Sequence, residues 1–133
     1  MKKTIVALSI FTILNAFAGD GHNHEAAVEP APHGGTLRDA KPYKAELVLN
    51  GDEAKIYMYD ANVKPATLSA TEMKGKLRFP KQKKESEVIF KKTGEAFVTI
   101  LKGVSKVHRY DLHVNFEQDG KKILIDFGVD NIH

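Results

Sequence analysis

The chain has 133 residues, a formal charge of +3 and an isoelectric point near 9.0, and it contains no cysteine. That length suits one small domain behind a leader. The absence of cysteine excludes disulfides and thiolate metal sites, and so slight a charge excess makes no case for nucleic acid.

The chain opens on Lys2 and Lys3. An apolar run from Ile5 to Phe17 follows, broken only by Ser9, Thr12 and Asn15, and then the small-x-small sequence Ala16-Phe17-Ala18. These parts stand in the order of a secretory signal peptide, residues 1–18, cleaved after Ala18. The expected location is the periplasm. A membrane span needs about 20 apolar residues, so none is expected after cleavage, and no cysteine follows the run to carry a lipid. Losing Lys2 and Lys3 would lower the formal charge to +1.

Residues 19–31 read as a flexible arm, polar and without hydrophobic period, that carries Asp20, His22, His24 and Glu25. Pro30 and Pro32 keep the chain extended up to His33. Gly34-Gly35 then permits a tight turn or a close backbone approach. The ordered domain, residues 32–133, is expected to begin here.

From Thr36 the pattern is one of short strands and turns. Tyr43 to Leu49 alternates, with Tyr43, Ala45, Leu47 and Leu49 on one face and Lys44 and Glu46 on the other. Asn50-Gly51-Asp52 marks a hairpin. Ala54 to Asp60 returns with Ile56 and Met58 inward and Tyr57 and Tyr59 outward. One strand is centred on Leu77, with a short one conceivable at Leu68, and a basic loop spans Pro80 to Lys84. Strands at Glu87–Phe90, Ala96–Leu101 and Lys106–Phe116 follow, and Asp119-Gly120 turns into a last strand, Ile123–Phe127. No segment sustains a helical period. About seven short strands with turns every ~8–12 residues predict an all-β fold: a two-sheet antiparallel sandwich of immunoglobulin-like form, or alternatively a small β-barrel.

Catalytic patterns are missing. There is no nucleophile elbow, no phosphate-binding glycine loop and no His-Glu-x-x-His, and Asp111 with His113 has no accompanying nucleophile. No enzyme is expected. Imidazole and carboxylate donors do suit divalent transition metals, and three of the six histidines lie at His22, His24 and His33. A mobile pair on the arm and an anchored His33 could close around one ion. His108 and His113 are five apart, which puts them on opposite faces of a regular strand.

The segment Pro32-His33-Gly34-Gly35, with Tyr43, Glu46-Leu47-Val48, Tyr57-Met58-Tyr59-Asp60 and Pro65, resembles a group of small exported β domains. These occur alone or beside the periplasmic adaptor subunits of heavy-metal efflux pumps. The resemblance covers about a third of the predicted mature chain, and the remainder only in strand rhythm. It implies a periplasmic β domain linked to metal handling. His33 corresponds to the motif histidine, Glu46 to the acid on the first long strand and Asp60 to the acid ending the next. Lys44 and Ala45 stand where members often carry a further histidine. The expectation is a soluble binder of copper or zinc, with His33, His22, His24, Asp60 and Glu46 as candidate ligands and an efflux adaptor as candidate partner. The alternative is a module that docks on an envelope protein without metal.

Overall fold

The structure, a computed structural model, describes residues 30–131. The predicted leader and the arm residues His22 and His24 lie outside these residues. Eight strands follow one another: β1 (Thr36–Ala40), β2 (Tyr43–Asn50), β3 (Glu53–Tyr59), β4 (Glu72–Phe79), β5 (Lys84–Thr93), β6 (Ala96–Ile100), β7 (Arg109–Gln118) and β8 (Lys121–Asp130). A single turn of 3-10 helix, Val104–Lys106, precedes β7. No helix among the described residues is long and apolar enough to cross a membrane.

Turn chemistry sets the hairpins. Gly51, with φ 64°, takes the first of the two places between Asn50 and Glu53. Gly94, with φ 66°, does the same between Thr93 and Ala96. Asp119 and Gly120 both have positive φ between Gln118 and Lys121. Left-handed residues at these places match the right-handed twist of the flanking strands.

The strands form one antiparallel sheet in the order β1-β2-β3-β6-β5-β4-β7-β8. Its end strands β1 and β8 approach each other, so the sheet is nearly closed into a barrel. Two separate sheets are not formed, and the barrel is the architecture that fits. Inward and outward alternation is the same in both folds, so alternation cannot choose between them. The choice is made by the two crossing segments, residues 60–71 and 101–108, which carry the chain to non-adjacent strands.

The interior is filled by alternating residues of every strand, among them Leu47, Ile56, Met73, Leu77, Phe90, Phe97, Leu112, Val114, Ile125 and Phe127. Leu49, expected on the inward face of its strand, is half-buried at the margin, as is Val88. Leu68 is buried from a loop, not from a strand. Each crossing segment is held by one polar side chain or two. Asp52 accepts the N–H groups of Gly103 and Ser105, and Asn131 donates to the carbonyls of Val104 and Val107. Gln118 accepts the N–H and the hydroxyl of Ser69. The expected strand at Lys106 therefore starts later, at Arg109, because the preceding residues belong to the clamped loop.

Some basic residues of β4 and β5 face acids across the outer ladder: Lys76 is opposite Glu87, Arg78 opposite Glu85 and Lys91 opposite Glu72. Cross-strand pairs of this kind each contribute a few tenths of a kcal/mol, about 0.2–1. Tyr110 is the exception to polar economy. It is fully buried, its hydroxyl has no partner among the described residues, and burial with the nearby Asp52 charge pushes its pKa up to about 12.

These placements give contrasting stabilities. Phe127→Ala, at a site 1% exposed, should cost about 3–5 kcal/mol in urea unfolding. Leu124→Ala, on the outer face of the same strand, should stay within about 0.5 kcal/mol. Tyr110→Phe removes an unpaired hydroxyl and should leave the urea midpoint unchanged or raise it; a clear fall would mean that the hydroxyl is bonded in solution.

Candidate functional site

The Pro-His-Gly-Gly segment folds as a turn. Gly34 N–H donates to Ala31 O at 3.0 Å, with Pro32 and Gly34 in the positions that a reverse turn favours for them. Gly34 is left-handed, at φ 75°. The amides on either side of it, those of His33 and Gly35, converge on one point, in the manner of the backbone concavities that bind anions.

The anion is a side chain of the domain itself. Both amides donate to Glu46 Oε2, at 2.9 Å from His33 and 2.8 Å from Gly35. Glu46 stands on the outer face of β2, directly opposite Tyr57 on β3, yet it is 0% exposed, because the turn lies over it. Gly35 lies so close to β2 that a Cβ would clash with the Leu47 carbonyl, so glycine is required there for lack of space.

The other carboxylate oxygen completes the cluster. Tyr59 O–H donates to Glu46 Oε1 at 2.6 Å, and His33 Nδ1 lies 3.0 Å from Oε1 and 2.9 Å from the Tyr59 oxygen. The Tyr59 proton is committed to the carboxylate and a carboxylate only accepts. His33 Nδ1 is therefore the donor, and Nε2 of the neutral ring carries the lone pair. The His33 ring also stacks on Tyr57, with centroids 3.8 Å apart and planes 13° apart. Its tautomer and its plane are thus both fixed, while the side chain stays 44% exposed.

The electrostatics agree. Burial pushes the Glu46 pKa up, but hydrogen bonds from Tyr59, Gly35 and His33 outweigh it and hold the carboxyl below its ordinary value. Burial and the adjacent Glu46 push the Tyr59 phenol well up, so it keeps its proton.

The candidate residues thus fall into three groups. His33 and Glu46 come together. Asp60 turns into its own loop, where its Oδ1 accepts the N–H groups of Asn62 and Lys64. His22 and His24 lie outside the described residues. Among the described residues no three His, Cys, Asp or Glu side chains gather to hold a metal ion. His113 is exposed on the outer wall, where its Nδ1 meets Asp126 Oδ1 at 2.7 Å across the β7–β8 ladder, and His108 is exposed ahead of β7. Sequence reading missed Tyr57 and Tyr59 as partners of the motif. The Asn50-Gly51 turn contained the signal, since a two-residue hairpin there places Glu46 beside the tyrosines.

No family model, curated protein or solved structure matches the chain.

Glu46→Gln replaces a pure acceptor by an amide that cannot accept all of these donors. It should cost about 3 kcal/mol. Because the folded pKa is lowered, the unfolded chain binds the Glu46 proton first on acidification. The stabilisation is complete above the ordinary glutamate pKa of about 4.3 and is lost as pH falls through the folded value. Urea midpoints measured from pH 7 to pH 3 should therefore converge between the parent and Glu46→Gln. Gly35→Ala should cost at least as much as Glu46→Gln, since overpacking alone costs about 1–3 kcal/mol and the amide would move off the carboxylate.

Proposed function

We propose that the protein is an exported, non-enzymatic binder of a divalent transition metal, copper or zinc, serving efflux or resistance in the periplasm. The observation that carries this reading is the state of His33. A ring with Nδ1–H held by a carboxylate and Nε2 turned outward is the arrangement that metal-ligating histidines adopt. Glu46 then acts as the orienting carboxylate behind the ligand, and Asp60 as the cap of its own turn. The remaining ligands come from the arm, with His22 and His24 supplying imidazoles that reach His33 from the same chain. A site assembled in this way keeps one fixed ligand and two that exchange. That suits uptake and hand-over better than permanent storage. The efflux adaptor remains the proposed recipient, on the resemblance of the motif.

The test is calorimetric titration of the exported, processed protein with Cu²⁺ and Zn²⁺ at neutral pH. The expected dissociation constant is about micromolar or below, with proton release on binding. His33→Ala and a form lacking residues 19–31 should each weaken binding at least tenfold. Loss only with the arm would assign the metal to a histidine tail and leave the barrel to dock on an envelope partner. An absence of binding in the intact protein would refute the proposal.

A further inference from the structure

His33 borders two hollows of the barrel wall, and Tyr57 and Glu95 border both with it. Beyond Ile56, β3 leaves the ladder with β6, whose pairing to β3 covers only Glu53–Ile56 and Phe97–Ile100. The gap becomes a cavity of about 230 Å³ that reaches from His33 and Tyr59 to Pro65, Lys92 and Glu95. On the outer wall a second hollow of about 290 Å³ is bordered by His33, Tyr57, Lys55, Glu53 and Glu95. His33, Tyr57 and Glu95 are common to both; Tyr57 is stacked on the His33 ring, so Glu95 is the carboxylate shared by the two hollows. Glu95 occupies the second central place of the β5–β6 hairpin, after left-handed Gly94, so it is carried at the tip of a tight turn. It is exposed, its charge is felt by Tyr59, and no hydrogen bond or ion pair engages its carboxylate among the described residues.

We infer that Glu95 is a second metal ligand of the domain, completing with His33 Nε2 an open half-site on the barrel wall. The inference rests on the metal-binding reading above and adds a residue that neither the motif nor the histidine pattern marks. One imidazole and one carboxylate leave at least two positions of a tetrahedral ion unfilled, so the half-site is open. The donor set also selects an oxidation state. With imidazole and carboxylate and no thiolate, it favours Zn²⁺ and Cu²⁺ over Cu⁺, which prefers sulfur. Glu53 is the weaker candidate, since it borders only the outer hollow. Lys55 and Lys92 each border one hollow, and neither pairs with Glu95 among the described residues.

The test uses the exported, processed protein and its Glu95→Gln and His33→Ala variants, after thermal unfolding has established that each variant is folded. Zn²⁺ and Cu²⁺ affinities are measured by calorimetry, and the Cu²⁺ adducts by electron paramagnetic resonance. Glu95→Gln should weaken Zn²⁺ at least about tenfold, the lower end of what even indirect partners of a metal site cost. It should also shift the Cu²⁺ hyperfine pattern, because one anionic oxygen ligand is gone. Cu⁺ should bind no better to the parent than to Glu95→Gln. If His33→Ala loses binding while Glu95→Gln retains parental affinity and an unchanged spectrum, the assignment of Glu95 is overturned and the His33 reading stands. If the parent binds neither ion, both are overturned.

Discussion

A single buried carboxylate organises the functional face of this barrel. Glu46 sits on an outward position of β2, where alternation alone would leave it in water. It is fully buried instead, and its charge is met by two backbone amides, a phenol and an imidazole. A buried charge is tolerable only when its acceptor capacity is filled, so each of these donors is under constraint. The turn must bring two amides to one oxygen, which asks for a left-handed residue at Gly34. The chain must then pass against β2 without a side chain, which asks for glycine at Gly35. The Pro-His-Gly-Gly sequence is the local solution to the problem that Glu46 poses.

The same bonds that neutralise Glu46 prepare His33. Its Nδ1–H is spent on the carboxylate, its ring plane is set by Tyr57, and Nε2 has no partner among the described residues. Structural and chemical roles of the motif therefore cannot be separated by looking at the carboxylate alone. The carboxylate fixes the ring, and the ring supplies whatever chemistry the site performs.

Barrel closure makes the hollow beside His33. A long antiparallel ladder would seal β3 against β6, but the two part after Ile56 because the chain beyond β3 must cross to β4 and the chain before β6 must turn from β5. The crossing segments are pinned by side chains that bond backbone: Asp52 and Asn131 for one, Gln118 for the other. Buried loop amides need partners as strand amides do, and here a few polar residues at the ends of strands provide them.

What the sequence determined by itself is whatever depends on near neighbours along the chain. Asn50-Gly51 and Asp119-Gly120 specify their hairpins because positive φ is a property of those residues, and the strict alternation of β7 and β8 names Leu112, Val114, Ile125 and Phe127 as core because side chains of a strand repeat every two residues. The tight turn at Gly34-Gly35 and the cap at Asp60 were equally local. Tertiary structure alone decided the rest. One nearly closed sheet in place of two depends on which distant strands share hydrogen bonds, and alternation is blind to that. Leu101 and Val104 became core only when the crossing loop of residues 101–108 was clamped down. The partnership of His33 with Glu46, Tyr57 and Tyr59 joins residues 13 to 26 positions apart, and only the folding of the turn over the β2–β3 hairpin brings them within bonding reach; Glu95 comes to the same hollows from the separate β5–β6 hairpin.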